Sequence, residues 1–347
     1  MTTGAYARYK PDVVTETGHL TEKEWLDFRR GGIGGSDVAA VMGVSPFTTG
    51  RDLYYDKRGL KPVIDIEDNW VAKEVGHLLE PLVAKIFEKK TGMKVVQIKK
   101  MFSHPIYKYM YADVDFFIET ADGKKGVLEI KTSNPHNKSK WDNGAIPYNY
   151  ELQVRHYLAV TDLDFAYIAC LFGNSEEEYL HRKIERDRIF EQSIIETEGY
   201  FWNEYVEKAV EPPYVENGDM ILESIRRRFG TSDTLASEME LNDDEILLID
   251  KYIKLKGEKS EFEKKSKEID NEMKITYAPI IERLKRKSEG ACEKDGKKYV
   301  VTYKSSYRTG IGKDNLEKLK INHPAIYEEY VETSESRSFR ASIKECS

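Results

Sequence analysis

This 347-residue chain is poor in cysteine: Cys170, Cys292 and Cys346 are its only three, far apart in sequence. Neither a disulfide framework nor a four-cysteine metal site suits that spacing. Long hydrophobic runs are missing too. Nothing approaches the roughly 20 apolar residues of a membrane span, and no apolar segment follows a basic start at the N-terminus. The expectation is a cytoplasmic protein without a membrane partner. An excess of positive charge is also absent, since 54 Lys and Arg stand against 61 Asp and Glu, a net charge of −7. That argues against indiscriminate nucleic-acid binding but leaves room for a basic groove on an acidic surface. What remains is ordinary for a soluble globular protein, with 40% hydrophobic and 33% charged residues. The length accommodates one large domain with an extension, or two domains.

The informative stretch is Asp115–Lys131. Two runs rich in β-branched and aromatic residues, Tyr111–Glu119 and Lys125–Thr132, flank Ala121-Asp122-Gly123 and predict a β-hairpin. A two-residue loop at Asp122-Gly123 would pair Asp115 with Ile130. A three-residue loop with Gly123 in the left-handed region would pair Asp115 with Glu129 instead. On the second strand the period of two puts Leu128 and Ile130 on the buried face, and Glu129 with Lys131 on the other. In the three-residue register two carboxylates and an ammonium meet at one spot. Adjacent carboxylates repel unless a cation or a shared proton intervenes. Hard oxygen donors suit Mg²⁺ or Mn²⁺ better than zinc. The plain alternative is a solvated strand face with an incidental Glu–Lys pair.

Elsewhere the pattern is mostly helical. Residues 1–18 are polar and aperiodic and read as a mobile arm. Thr21 and Glu24 form a capping box that opens a helix bearing Trp25, Phe28, Arg29 and Arg30. The run Gly31–Asp37 then leads into the apolar segment Val38–Met42. Its glycines, the N–H groups of the new helix, the Ser36 hydroxyl and the forked Arg29 guanidinium suit a phosphate. A glycine-rich turn into a capped helix explains the same residues. A helix over 68–90 carries Leu79, Leu82, Val83, Ile86 and Phe87 as its buried stripe, and Pro81 either starts a straight section or kinks it. Glu80 beside that stripe is a surface glutamate, or a third carboxylate facing the hairpin. Val95–Ile98 reads as the first strand of the sheet. Ser133–Ile146 reads as a mobile loop containing Trp141, and Pro147–Val160 as a helix that sets Gln153 and His156 or Tyr157 on one face. Phe165–Phe172 and His181–Glu185 read as strands, and Arg186–Val210 as a closing helix before Pro212-Pro213.

The last third differs in character. Over 244–277 it is rich in Lys and Glu, and Leu248, Leu255, Phe262 and Ile269 recur every seventh residue, a helical-hairpin or coiled-coil signal. A strand at Lys298–Ser305 precedes two basic-aromatic patches, one with Tyr303, Lys304, Tyr307 and Arg308, the other with Tyr327, Tyr330, Arg337, Phe339 and Arg340. Such patches stack bases and hold phosphates, or pack rings against cations on the surface. The organisation expected is an arm (1–18), a main domain (19–213) and a helical and β extension (214–347).

With these residues placed, the chain resembles the YqaJ-like viral recombinase family of phage-type exonucleases, relatives of lambda exonuclease within the PD-(D/E)XK nuclease superfamily. The resemblance rests on Arg29…Ile33-Gly34-Gly35-Ser36-Asp37, Gly76…Glu80-Pro81, Asp115…Leu128-Glu129-Ile130-Lys131 and Gln153-Val154-Arg155-His156-Tyr157-Leu158, in that order over residues 20–210. It implies an α/β, restriction-endonuclease-like core, a central mixed sheet flanked by helices, with the helical (coiled-coil-like) and small β extension behind it. It implies Asp115, Glu129 and the backbone carbonyl of Ile130 as ligands of Mg²⁺, for which Mn²⁺ substitutes. Lys131 would lie beside the attacking water, Glu80 would face the metal, and Gln153 would help place the water or Lys131. Arg29 and Ser36 match positions that hold a 5′-terminal phosphate; Arg51 is a further candidate whose spacing is not preserved. Phe116 stands where relatives often carry Gly, a departure that would narrow access to the metal.

The activity implied is metal-dependent 5′→3′ exonucleolytic hydrolysis from double-stranded DNA ends, in phage-type recombination by single-strand annealing. The same resemblance implies a homotrimer, an annealing-protein partner, and a phage or prophage gene expressed in the bacterial cytoplasm. Two alternatives stand beside it. An endonuclease or nickase would share the metal site without needing Arg29 and Ser36. A non-catalytic DNA-end or partner-binding module would have no use for clustered acids near phosphate. An iron–sulfur nuclease does not suit three scattered cysteines.

Overall fold

In the computed structural model, residues 8–60, 62, 70–232, 237–307 and 310–332 are described. The chain divides into two compact units, Met1–Gly230 and Thr231–Ser347. The first opens with β1 (Asp12–Glu16), α1 (Glu22–Arg30), the two-residue β2 (Ile33–Gly34) and the short helices α2 (Val38–Val41) and α3 (Gly50–Lys57). The 22-residue α4 (Trp70–Thr91) follows, then β3 (Lys94–Val96), β4 (Lys100–Ser103), β5 (Met110–Asp113), β6 (Phe116–Glu119) and β7 (Lys125–Thr132). Helix α5 (Tyr148–Thr161) carries the chain to β8 (Phe165–Leu171), and β9 (Tyr179–Glu185) doubles back. Helix α6 (Arg188–Tyr200), a π turn over Phe201–Val206 and α7 (Gly218–Phe229) complete the unit.

Two mixed sheets result. The five-stranded one runs β3-β6-β7-β8-β9, parallel only between β7 and β8, where α5 supplies the crossover that parallel strands require. The four-stranded one runs β1-β4-β5-β2. Strand β7 lies between two helical layers. Leu128 and Ile130 pack with Val83, Ala84 and Phe87 of α4, while Val127 packs with Val154 and Leu158 of α5. Burial on both faces makes Gly126–Ile130 continuously buried instead of alternating. The site described below lies at the end of this doubly covered strand.

The hairpin takes the three-residue loop. Phe116 pairs with Leu128 and Glu119 with Lys125, the Thr120 amide donates to the Lys124 carbonyl, and Gly123 has φ 79°. That register puts Asp115 opposite Glu129. The expected run Tyr111–Glu119 is broken, however: the chain leaves one sheet after Asp113 and joins the other at Phe116. Asp115 therefore lies at the step between sheets. There its carboxylate accepts a hydrogen bond from the Ile130 amide at 2.9 Å.

Several expectations need correction. The stretch taken for an arm is anchored from Arg8 on, the earlier residues lying outside those described. Strand β1 pairs antiparallel with β4, and the Tyr9 amide donates to Asp162 at 3.0 Å. The segment 133–146 is not a loose loop but 3-10 turns pinned by Trp141, which is buried against Phe172. Helix α4 continues across Pro81, and Leu82 faces outward at 47% exposure while Ala84 takes its place in the core. The domain boundary expected after 213 falls at Gly230 instead. Helix α7 stays with the first unit because Ser224 donates to Asp52 at 2.7 Å and Arg227 pairs with the same carboxylate at 3.4 Å.

In the second unit Asn242 caps a single uninterrupted 42-residue helix, α8 (Asp243–Leu284), where a helical hairpin was the alternative. Strands β10 (Glu289–Lys294) and β11 (Lys297–Thr302) pair antiparallel about Asp295-Gly296, and α9 (Lys313–Asn322) and α10 (Pro324–Tyr330) follow. Arg308, Arg337, Phe339, Arg340 and Cys346 lie outside the described residues. Among the described residues no helix is long and apolar enough to cross a membrane.

Candidate active site

A cleft of about 620 Å³ gathers most of the residues singled out above. Its lining includes Arg29, Ser36, Glu80, Asp115, Glu129, Ile130, Lys131 and Gln153. They come from α1, the turn before α2, α4, the step between β5 and β6, the end of β7, and α5. Glu129 is the hub. Its side chain is buried, and its Oε1 accepts hydrogen bonds from Lys131 Nζ and Gln153 Nε2, each at 2.6 Å. Its Oε2 is equally buried and has no hydrogen-bond partner among the described residues. The solvated strand face considered for Glu129 is therefore not what forms.

The electrostatics follow from burial. Asp115 is pushed well above the ordinary carboxylate range, first by burial and then by the Glu129 charge, with Lys131 opposing. Burial works against the Lys131 charge, but Glu129 and Asp115 outweigh it and hold the ammonium above its ordinary value. That ammonium also lies 5.0 Å from the centre of the Tyr150 ring. Glu80 is raised by burial, with His77 opposing the shift and the Glu129 charge adding to it. Two carboxylates with one orphaned buried oxygen form a donor set that fits a hard divalent cation. Among the described residues no three His, Cys, Asp or Glu side chains converge enough to hold a metal by themselves. A cation here would therefore need Asp115, Glu129 and oxygens that are not side-chain carboxylates, such as the Ile130 carbonyl and water.

The other end of the cleft is built around Arg29. Its Nη2 donates to Asp37 at 2.8 Å and to the Ser36 hydroxyl. Nη1 and Nε make no hydrogen bond among the described residues, and the guanidinium lies 5.2 Å from the Trp25 ring centre. Asp37 also accepts from the fully buried Lys57 at 2.7 Å and from the Gly34 amide at 2.9 Å. Burial opposes the Asp37 charge, yet Arg29 and Lys57 overcome it and hold this carboxyl far below its usual range. The glycines serve close packing here. A Cβ on Gly35 would come within 2.6 Å of the Tyr157 ring, and one on Gly32 within 2.6 Å of the Tyr109 carbonyl. Helix α2 is a single turn, so its N-terminus adds little to anion binding.

Two residues fall elsewhere. Arg51 does not line the cleft; its Nε donates to the Pro212 carbonyl at 2.9 Å, and its guanidinium stacks 4.1 Å from the centre of the Tyr214 ring. Phe116 turns into the core between α4 and the sheet, so it does not narrow the entrance. Others in or beside the cleft had no role assigned from the sequence. Tyr157 shares the Gln153 amide at 3.1 Å, a contact implicit in their i, i+4 spacing. Asp113 accepts from Trp25 Nε1 at 2.6 Å and is raised by burial. Lys57 had no local signal, since only the fold brings it beneath Asp37.

The family model described as "YqaJ-like viral recombinase domain" matches residues 24–164. The uncharacterized protein YqaJ of Bacillus subtilis (strain 168) is 30% identical over 342 residues, covering 97% of this chain and 99% of that protein. Among solved structures, the alkaline exonuclease LHK-Exo from Laribacter hongkongensis is similar with a TM-score of 0.45 and 22% identity, over 55% of this chain and 94% of that one. A phage-related exonuclease from Haemophilus somnus 129PT gives 0.36 and 13%, over 51% and 96%.

Proposed function

The chain belongs to the YqaJ-like viral recombinase family, and from that premise we propose that it is a metal-dependent 5′→3′ exonuclease acting on double-stranded DNA ends. The observation that carries this reading is the meeting of Asp115, Glu129 and Lys131 with Arg29 and Ser36 in one cleft. Asp115, Glu129 and the Ile130 carbonyl would hold Mg²⁺ or Mn²⁺, whose Lewis acidity would polarise the scissile phosphodiester and acidify a water. Lys131 offsets the charge that develops on the phosphate and orients the attacking water. Gln153 fixes Glu129 by occupying the oxygen that Lys131 also uses. Glu80 faces the same space as a further carboxylate that can accept a proton. Arg29, steadied by Asp37 and Trp25, offers Nη1 and Nε to a 5′-terminal phosphate, with Ser36 beside it. Holding an end, and not an internal phosphate, favours exonucleolytic cutting.

The role that follows is resection for phage-type recombination by single-strand annealing, with an annealing protein as partner and a homotrimer as the working form, in the bacterial cytoplasm. The test uses linear duplex DNA labelled at one end and bearing either 5′-phosphate or 5′-hydroxyl, with Mg²⁺, beside a covalently closed plasmid. Degradation of the linear DNA alone, faster from the phosphorylated end, supports the proposal. Cutting of the closed circle moves the protein to the endonucleases. Binding of ends without hydrolysis in Mg²⁺ or Mn²⁺ reduces it to a docking module.

A further inference from the structure

Helix α8 spans about 63 Å at the rise of an α-helix. None of its residues is buried, and Leu248, Leu255, Phe262 and Ile269 are each between 53% and 70% exposed. Around a straight helix their spacing of seven drifts by about 20° per heptad, and supercoiling about another helix holds them in one seam. Lys259, Ser266, Met273 and Ile280, placed four residues after Leu255, Phe262, Ile269 and Thr276, complete the seam. Over residues 254–274 the helix is polar everywhere outside this seam, so it gains little from packing by itself, and its internal Lys259–Glu263 pair at 3.8 Å is solvent-exposed and weak.

The charges beside the seam select the partner. Along one flank, at intervals of seven, stand Lys251, Glu258, Lys265 and Glu272, strictly alternating in sign. Along the other stand Lys256, Glu263 and Asp270. In a parallel pair each flank meets the opposite flank of its neighbour. Two copies in register would then set Lys251 against Lys256 and Glu258 against Glu263, and only Lys265 against Asp270 would attract. In an antiparallel pair like flanks meet. With Phe262 of one copy beside Lys259 of the other, Lys251 faces Glu272, Glu258 faces Lys265, and Lys256 faces Glu263. Every one of these contacts is attractive and, by symmetry, occurs twice. The same register puts Leu248 opposite Met273, and lets the aliphatic stem of Lys259 lie over the Phe262 ring. Sliding by one heptad to bring Phe262 opposite Ser266 would instead set Glu258 against Glu272 and Lys265 against itself.

We propose that α8 is a self-association element, pairing antiparallel with α8 of a second copy of this chain in the register that places Phe262 beside Lys259. The occupant is a second copy because the alternating flank is complementary to its own reverse. This is independent of the nuclease reading.

The test is sedimentation of the full-length protein and of two variants, with circular dichroism to confirm equal helix content. Glu258→Lys should weaken the pairing about tenfold by turning both Glu258–Lys265 contacts repulsive. Adding Lys265→Glu to that variant should restore the wild-type mass at the same concentration. Pairing between monomers gives a dimer and pairing between homotrimers a closed pair of trimers, so at concentrations between the two dissociation constants the loss expected is a factor of two in particle mass. A parallel pair would strengthen in Glu258→Lys, since the introduced ammonium would then meet Glu263, and that result overturns the proposal. A mass indifferent to both variants, or a wild-type protein that sediments as a monomer, overturns it equally.

Discussion

Gln153 donates through Nε2 to Glu129 Oε1 at 2.6 Å, so that α5 and β7 share one buried carboxylate oxygen. Because Lys131 uses the same oxygen, Oε2 is the one left without a protein partner among the described residues. Gln153→Leu keeps the volume and removes the donor, freeing Glu129 to rotate. Partners of this kind typically govern about 10- to 100-fold in metal affinity or rate. The expected result is a rate loss of that size with an Mg²⁺ requirement shifted to higher concentration. A Gln153→Leu enzyme with unchanged Mg²⁺ dependence would detach this residue from the site.

Asp115 combines a functional gain with a cost in stability. Its carboxyl is raised above the unfolded value by burial and by Glu129. A raised acid contributes stability only below its unfolded pKa, and that contribution is lost as the pH rises. At neutral pH and without divalent ions, keeping this carboxyl buried beside Glu129 therefore weakens the fold. Asp115→Asn should raise the melting temperature in EDTA by roughly 2–4 °C, the shift about 1 kcal/mol gives in a domain of this size. Cleavage should be abolished in the same variant. Mg²⁺ should raise the melting temperature of the wild type and leave that of Asp115→Asn nearly unmoved. Lys131→Ala should also abolish cleavage, with the fold retained.

How much of this was legible follows from whether a signal is local. Gly123 limited the hairpin to two registers, and the three-residue loop is the one observed, so the Asp115–Glu129 proximity was readable as one of two alternatives. The break at Val114-Asp115 was not, because residues 111–119 have a continuous strand composition and only the second sheet draws them apart. Strand β1 was hidden because an edge strand needs few apolar residues. In Gly31–Asp37, glycine spacing suggested approach to a ligand, whereas Gly32 and Gly35 mainly admit Tyr109, Tyr111 and Tyr157. The Asp37–Lys57 pair joins residues 20 apart on separate elements, and no periodicity announces it.

That pair sets up a contrast at the proposed phosphate end. The Lys57 side chain is fully buried, so Asp37→Ala strands its charge and should cost about 3–5 kcal/mol in urea unfolding. Arg29→Ala should abolish the preference for 5′-phosphorylated over 5′-hydroxyl ends. Arg51→Ala should leave that preference intact, because Arg51 is engaged with Pro212, Glu211 and Tyr214 away from the cleft. Loss of the preference in the Arg51 variant alone would reverse the assignment of the two arginines.

His104 should give the fold an acid-sensitive margin. It is buried, and its Nδ1 accepts hydrogen bonds from the Ile106 and Tyr107 amides at 3.1 and 3.0 Å, which requires that nitrogen to be unprotonated. Burial, with the His156 charge adding to it, lowers the group from 6.5 to about 4. Above the unfolded value both states are neutral and the contribution is complete. As the pH falls from about 6.5, the unfolded chain takes up the proton first, and stability drains away until about pH 4. Allowing for partial solvent screening, the loss should be roughly 2 kcal/mol. His104→Asn keeps an acceptor for both amides and does not titrate. Urea unfolding of the two proteins at neutral and mildly acid pH therefore isolates the imidazole. The wild type should lose more stability on acidification than the variant, and parallel losses would mean that His104 takes up its proton at the same pH in the folded and unfolded chains.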